Sequence, residues 1–367
     1  MTTYLLAGGG TAGHVNPLLA VADMISAREP DATVLVLGTR EGLEARLVPE
    51  RGYELVTVPR VPFPRRANRA ALAFPARFSA AVSGVRTMMA ARGVDVVVGF
   101  GGYVATPAYL AARRADLPIV IHEANAKPGL ANRLGARFTR RVGVAFPGTP
   151  IRHAHLVGMP LRPEIEHLDR DAARPDALAF FGLQPSRPVL LVTGGSLGAR
   201  RINATVHDSA AALVQAGWQV LHITGTRSEV TDPGIEHYHQ LDYCDRMDLA
   251  LACADFAVSR AGAATVSELS ALGIPAAYVP YPVGNGEQRF NAADVVRAGG
   301  GLLVDDADFT PAWIDRVLLP TLTDTEGLRR RADAARSVGV LDGAARMYEL
   351  IRQARDAAPV RQVTGTA

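Results

Sequence analysis

Near the N-terminus, Gly8-Gly9-Gly10-Thr11-Ala12-Gly13 fits G-x-G-x-x-G, and His14 follows it directly. Glycines in this pattern let the chain turn tightly from strand to helix and let a ligand approach the backbone. The pattern alone supports a dinucleotide-binding turn or a bare tight turn. A dinucleotide site wants an acidic residue at the end of the next strand, to hold ribose hydroxyls. The chain has Gly38-Thr39-Arg40 there, and Arg40 suits a 2′-phosphate, which keeps an NADP enzyme open. His14 points elsewhere. An imidazole at the helix start, on the edge where ligands bind, can accept a proton from a hydroxyl. A base pressed against a pyrophosphate has little use in an NAD enzyme. An ordinary helix-end histidine is the alternative.

A second turn, Gly194-Gly195-Ser196-Leu197-Gly198, combines backbone N–H groups, a helix N-terminus and the Ser196 hydroxyl into an anion site. Farther on, SRAGAATVSEL places Gly262, Ala263 and Ala264 where a ligand can come close to a helix start, with Glu268 one turn in. A carboxylate there accepts from two ribose hydroxyls, or simply answers the helix dipole. Glu287, Gln288 and Asn291 open a further helix, where they can recognise sugar hydroxyls or cap the helix.

These residues need a scaffold that brings loop after loop to one edge. Short apolar runs at 3–7, 33–37, 94–98 and 118–122 read as buried strands, with helical patterns at 17–27, 43–50 and 75–91 between them. The order restarts after a polar stretch at 162–186. Strands are expected at 188–193, 219–224, 255–259 and 276–280, and helices at 199–216, 263–272 and 288–298, with a last helix near 343–355. Alternating βαβ units imply parallel sheets covered on both faces. The expectation is an α/β chain of two doubly wound, Rossmann-like domains facing each other across a cleft, ligands lying beyond the carboxyl ends of the strands.

The chain of 367 residues is long enough for two domains, and its apolar content is that of a globular protein. No apolar run reaches the roughly 20 residues of a membrane span, and no signal peptide is legible; a cytoplasmic protein is expected. Cys244 and Cys253 read as buried thiols in a helical region rather than a disulfide or metal site. No Asp-x-Asp pair stands on the ligand edge to hold a metal, and no cofactor is implied. Net charge is only +3, but no acidic residue lies between Glu54 and Asp95, a gap holding Arg60, Arg65, Arg66, Arg69, Arg77, Arg86 and Arg92. No second basic patch supports a nucleic-acid partner.

Seven segments then resemble one family in order along nearly the whole chain. GGGTAGH, GGYVATP (101–107), IHEANAKPGLANR (121–133), VGMPLR (157–162), TGGSLGARRIN, YCDRMDLALACAD and SRAGAATVSEL are similar to the MurG family. These are GT-B glycosyltransferases that add N-acetylglucosamine from UDP-N-acetylglucosamine to lipid I, undecaprenyl-diphospho-muramoyl-pentapeptide, giving lipid II in peptidoglycan synthesis. The resemblance implies an acceptor domain at 1–162, a UDP-sugar domain at 163–342 and a helix at 343–356 packing back onto the first domain; the polar tail at 357–367 is expected from its sequence to be disordered. It places His14 as candidate base and Glu123 as the alternative base, paired on the acceptor side with Asn125. Thr11 and Gly13 are expected to touch substrate. Arg162 and Ser196 match donor phosphate contacts, Cys244 the backbone that meets uracil, Ala264 and Thr265 phosphate-facing positions, Glu268 the ribose ligand and Gln288 a sugar ligand. Glu287 stands where many members have glutamine; Ala12 and Ala124 are milder departures.

Within that reading the arginine-rich stretch acquires a purpose. Arg65, Arg66 and Arg69 border Leu72, Phe74, Phe78, Val82 and Val85, and such a surface would attract anionic lipid and dip into it. The enzyme would then sit peripherally on the cytoplasmic face of the membrane. The rivals are a soluble UDP-sugar transferase acting on a natural product, a UDP-N-acetylglucosamine epimerase, an NADP oxidoreductase and a non-catalytic binding protein.

Overall fold

The computed structural model describes residues 1–61, 69–195, 198–283 and 285–357, with backbone alone at 69–72. The chain divides into two units. The first comprises Met1–Ala124, Pro128–Arg162 and the chain from Asp342 onward; the second comprises Asn125–Lys127 and Pro163–Leu341.

In the first unit, seven strands form one parallel sheet: β1 (Thr3–Gly8), β2 (Thr33–Gly38), β3 (Glu54–Thr57), β4 (Val96–Gly101), β5 (Ile119–Glu123), β6 (Val142–Val144) and β7 (Ala154–Leu156). Their order is β3-β2-β1-β4-β5-β6-β7. Alternation along each strand feeds two cores. Tyr4, Leu6, Val34, Val36, Val96 and Val98 face α1 (Ala12–Arg28) and the C-terminal helix Gly343–Asp356. Leu5, Ala7, Leu35, Leu37 and Val97 face the opposite side, where α3 (Arg69–Ala91) and α4 (Ala105–Arg114) pack. A strand buried on both faces must be apolar at every position, which is why these runs read as continuous rather than alternating. The C-terminal helix is also pinned through Glu29, whose carboxylate accepts from Tyr348 Oη (2.8 Å), Tyr4 Oη (3.0 Å) and Arg355 (2.7 Å).

The second unit carries six parallel strands: β8 (Val189–Thr193), β9 (Gln219–Ile223), β10 (Tyr238–Leu241), β11 (Phe256–Ser259), β12 (Ala276–Tyr278) and β13 (Gly301–Leu303), in the order β10-β9-β8-β11-β12-β13.

Several expectations shift. The third expected strand runs 96–101 rather than 94–98, because Val94 closes the turn from α3 by donating to the Met89 carbonyl. Helix α1 begins at Ala12, before Pro17, since Thr11 takes the extended N-cap conformation. The helix expected at 199–216 is two, Arg200–Asp208 and Ala210–Gln215; that at 288–298 is Glu287–Asn291 and Ala293–Arg297. Strands β3, β6, β7, β10 and β13 have three or four residues each, too few to show a period. Cys253 ends a helix, but Cys244 lies in the loop after β10; both are buried and free. Val82 and Val85 belong to the core and are not available to a membrane. Arg65 and Arg66 lie outside the described residues, as do 358–367 of the expected tail.

Two histidines are buried within the sheets, His122 on β5 and His222 on β9. Asn203 Oδ1 can only accept, so His222 Nε2 donates to it (3.2 Å) and Nδ1 accepts from the Tyr238 hydroxyl (2.5 Å). Burial pushes both imidazoles down to about 4 from 6.5. The unfolded chain therefore binds more protons between pH 6.5 and 4, and stability must fall as pH falls through that window. The expected loss is roughly 3 kcal/mol per histidine by pH 4. Urea midpoints across the window check this: His222→Gln should flatten the slope, and an unchanged slope would contradict the neutral buried state.

Candidate active site

The loops that carry the chemistry leave the carboxyl ends of neighbouring strands. After β1, Gly10 takes φ +88° and Thr11 starts α1. His14 folds back so that Nδ1 lies 3.2 Å from the Gly9 carbonyl oxygen and 3.4 Å from Thr11 Oγ1. A carbonyl only accepts, so Nδ1 carries the proton and Nε2 keeps its lone pair. Against this ring lies the end of β4. Gly101 and Gly102 have φ of +94° and +77°. A Cβ at Gly102 would fall 2.6 Å from the Gly9 oxygen, and one at Gly101 3.1 Å from His14 Nε2. The glycine pair of GGYVATP is thus required by left-handed backbone and by the closeness of the first turn.

Glu123 ends β5 and is 3 % exposed. Its Oε2 accepts from the Gly129 N–H (2.9 Å) and Asn132 Nδ2 (3.0 Å). Asn132 Oδ1 in turn accepts from Tyr109 Oη (2.7 Å), a hydroxyl that burial and the nearby carboxylate push well above its usual range. Asn125 counts with the second unit, where Asn291 Nδ2 donates to its Oδ1 at 3.3 Å. Asn291 also accepts from the Ala126 N–H at 2.9 Å and is itself buried. Arg162 is half-buried at the end of the first unit.

Sequence reasoning missed Glu44, the first residue of α2 (Glu44–Glu50) and 0 % exposed. Its Oε1 accepts from the Thr39 N–H and hydroxyl and its Oε2 from the Gly10 N–H, all at 2.8 Å. Burial alone would raise this carboxyl; the hydrogen bonds, from Gly10 first, hold it below the usual range. Gly9, Gly38 and Gly42 leave the space it fills, since a Cβ on any of them would overlap it. The only signal in the sequence was the spare glycine at 42, two residues before an acid. The consequence is direct: the Gly10 N–H, which a pyrophosphate would take in a dinucleotide fold, is already occupied by a carboxylate.

In the second unit the relevant loops follow β8, β11 and β12, again adjacent strands. Ser196 lies outside the described residues. Beside its turn, buried Asn203 donates to the Thr224 carbonyl (2.7 Å) and Ser228 Oγ (3.0 Å). The helix Ala263–Ala271 starts at Gly262 with no side chain capping it and no acid in its first turn. Ala264 and Thr265 lie in that turn; Glu268 is the sixth residue, beyond the reach of a simple dipole role. Gln288 Oε1 accepts from the Tyr281 N–H (2.9 Å), so the oxygen is the atom engaged here and the amide nitrogen is a donor group. Glu287 heads the same short helix. Arg260, given no role by sequence reasoning, donates to the Val279 and Pro280 carbonyls (3.1 and 3.2 Å), pairs with Asp306 and lies 5.6 Å from the Tyr281 ring centre. The Cys244 thiol is pushed up by burial.

Two doubly wound parallel-sheet units in one chain, each presenting its glycine turn at the carboxyl edge, are the GT-B architecture of glycosyltransferases. Residues 4–144 match the glycosyltransferase family 28 N-terminal domain, and 189–347 the family 28 C-terminal domain. The chain is 66 % identical over 98 % of its length to the UDP-N-acetylglucosamine–N-acetylmuramyl-(pentapeptide) pyrophosphoryl-undecaprenol N-acetylglucosamine transferase of Leifsonia xyli subsp. xyli, covering 100 % of it. It is 52 % identical to the transferase of that name from Streptomyces coelicolor, with 92 % of this chain and 94 % of the other aligned. The crystal structure of Acinetobacter baumannii MurG superposes with a TM-score of 0.78 at 27 % identity, covering 96 % of this chain and 100 % of that one. The chain belongs to the MurG family.

Proposed function

We propose that this chain transfers N-acetylglucosamine from UDP-N-acetylglucosamine to the C4 hydroxyl of lipid I, with inversion, giving lipid II in peptidoglycan synthesis. The observation that carries the reading is the 66 % identity to a transferase of that name along essentially all of both chains. An epimerase, a natural-product transferase or an NADP oxidoreductase would not need that likeness.

A sugar hydroxyl ionises far above neutral pH, so attack needs a proton acceptor. His14 supplies it: Nδ1 is committed to the Gly9 carbonyl, and Nε2 holds a lone pair on a half-exposed ring. Glu123 is the weaker candidate, because it is buried and one of its oxygens serves two donors. Thr11 and Gly13 border the acceptor. Their backbone is approachable, since the nearest atom to a Cβ at Gly13 is Thr11 Oγ1 at 3.8 Å. The oxygen attacks the anomeric carbon as UDP departs from the opposite face, turning an α donor into a β link. Charge growing on the leaving diphosphate meets the open N–H groups at Ala264 and Thr265, with Ser196 and Arg162 as further donors. Glu268 accepts from the ribose hydroxyls, the Cys244 backbone meets uracil, and the Gln288 amide and Asn125 touch sugar.

The enzyme acts as a peripheral protein on the cytoplasmic face of the membrane. No helix among the described residues is long and apolar enough to cross one. Docking uses Arg65, Arg66, Arg69, Leu72, Phe74 and Phe78. On α3, Phe74 and Phe78 stack at 5.5 Å and are half-buried, with Arg77 exposed between them. The same unit carries further basic charge that the sequence did not single out. Arg113, Arg137, Arg140 and Arg141 line a cavity of about 670 Å³, and no acidic residue occurs between Glu123 and Glu164. Asp116, paired with Arg113, is the one acid in that lining, and arginines in such excess suit anionic headgroups, each worth roughly 1 kcal/mol near the surface.

Incubation with labelled UDP-N-acetylglucosamine and a lipid I analogue should yield the disaccharide; no product would refute the reading. In that assay His14→Ala should lower kcat about 10²–10⁴-fold, with donor KM nearly unchanged and the acid limb of the pH profile lost. A loss confined to acceptor KM would make His14 a binding residue only.

Glu268→Ala should weaken UDP binding by roughly 1.5–3 kcal/mol for each charged hydrogen bond lost, less what water restores. Calorimetry with UDP checks it, and equal affinity removes Glu268 from the site.

Changing Arg65, Arg66 and Arg69 together to Gln should release the protein from anionic vesicles while a short-chain soluble acceptor still turns over. Binding of the unaltered protein should weaken with salt. Co-sedimentation unaffected by the triple change would locate docking elsewhere.

A further inference from the structure

The Gly9 carbonyl and the Gly10 N–H belong to one peptide group. Its oxygen accepts from His14 Nδ1 at 3.2 Å, and its N–H donates to Glu44 Oε2 at 2.8 Å. A trans peptide is planar and points its C=O and N–H bonds in opposite directions, so that their dipoles add. Buried carboxylate, peptide and imidazole therefore stand in a single hydrogen-bonded chain.

We propose that Glu44 is a positioning residue for the reaction, holding and polarising the Gly9–Gly10 peptide so that His14 keeps its proton on Nδ1 and presents Nε2 to the acceptor hydroxyl. The inference rests on the reading of His14 as the proton acceptor.

Three features support it. Glu44 is an anion without exposure, held by three donors rather than by a cation. A negative charge on the N–H side of an amide draws electron density toward its oxygen and makes that oxygen a better acceptor, because hydrogen bonds in a chain polarise one another. The assignment of a histidine tautomer by the bond its other nitrogen makes is the general device by which carboxylates orient catalytic imidazoles; here a peptide is interposed between the two. Finally, Gly9, Gly38 and Gly42 all lack the Cβ that would exclude the carboxylate, so three positions are shaped around one side chain. A purely structural acid at a helix start would need only the Thr39 donors. The bond to Gly10 reaches out of its own loop to the turn that carries His14.

The same contact answers what the first glycine turn is for. Its Gly10 N–H is filled from within, so this peptide is not free to cradle a phosphate. Any phosphate at this turn must use N–H groups other than that of Gly10.

The test is the nitrogen-15 spectrum of the His14 ring in the full-length protein, assigned by its loss in His14→Ala. In the unaltered protein the Nδ1–H tautomer should predominate. In Glu44→Gln, which keeps the size but removes the charge, the Nε2–H tautomer should grow to a comparable population, and kcat should fall roughly 10–100-fold with donor KM unchanged. An unaltered tautomer signal in folded Glu44→Gln overturns the proposal. Should that variant not fold, the unaltered protein still decides. Gly10 is exposed, so slow exchange of its amide proton, with a downfield shift, is expected only if the carboxylate holds it. Exchange at the rate of a free loop amide overturns the proposal as well. The two readings fail separately. If His14→Ala keeps full turnover while Glu44→Gln changes the tautomer, the base assignment falls and the relay stands. If His14→Ala abolishes turnover while Glu44→Gln moves nothing, the reverse holds.

Discussion

A parallel strand that stops at the carboxyl edge of its sheet leaves backbone donors that no neighbouring strand can take. Each must find a partner or water, because an orphaned buried amide costs as much as a lost hydrogen bond. The first unit meets this constraint with a charge. Glu44 gathers Thr39 at the end of β2 and Gly10 after β1 onto one carboxylate, and so welds two adjacent loops. Three hydrogen bonds to a charged acceptor, each worth roughly 1.5–3 kcal/mol, are enough to keep the group ionised where no water reaches it. The second unit ties a loop without charge. Asn203 donates to the Thr224 carbonyl and to Ser228 Oγ in the loop after β9, and its Oδ1 accepts from His222 Nε2.

The difference suits the two halves of the proposed reaction. Deprotonating a hydroxyl calls for a side chain whose tautomer and direction are set in advance, and the first unit supplies imidazole and carboxylate on loops already clamped. Receiving a departing diphosphate calls for N–H groups that are still open, and the helix at Ala263 begins with none of them capped by a side chain. Glu123 illustrates how closely the first unit is organised. Its carboxylate, Asn132 and Tyr109 form a buried chain in which removing any member strands the others.

The arginines follow a different logic. Arg92 is spent on Glu54 and Arg355 on Glu29. Arg113 pairs with Asp116, but the lining around it at Arg137, Arg140 and Arg141 brings no further acid. Such clustering of like charge has no folding advantage. It is explicable as a surface for an anionic partner, and the proposed acceptor is itself a lipid.

Much was legible in the chain by itself. Apolar runs bounded by glycine and proline located the long strands, because strands buried on both faces are apolar throughout. Glycine turns followed by helical patterns located His14, Ala264 and Glu268 at strand ends, because a parallel sheet brings every such loop to one edge; Glu123 came from the resemblance alone. What tertiary structure alone decided are contacts between residues far apart in sequence. The 34 residues from Gly10 to Glu44 carry no mark that one will bond the other. Nor does the sequence say that Asn125 bonds Asn291, that Val82 and Val85 are core, or that arginines from two separate segments line one cavity. Strands β3, β6, β7, β10 and β13 were equally silent, since pairing with a neighbour, not periodicity, makes them strands. Local spacing writes itself into sequence because the chain must repeat it every turn or every second residue; a side chain crossing between loops is specified only by the space that distant glycines leave for it.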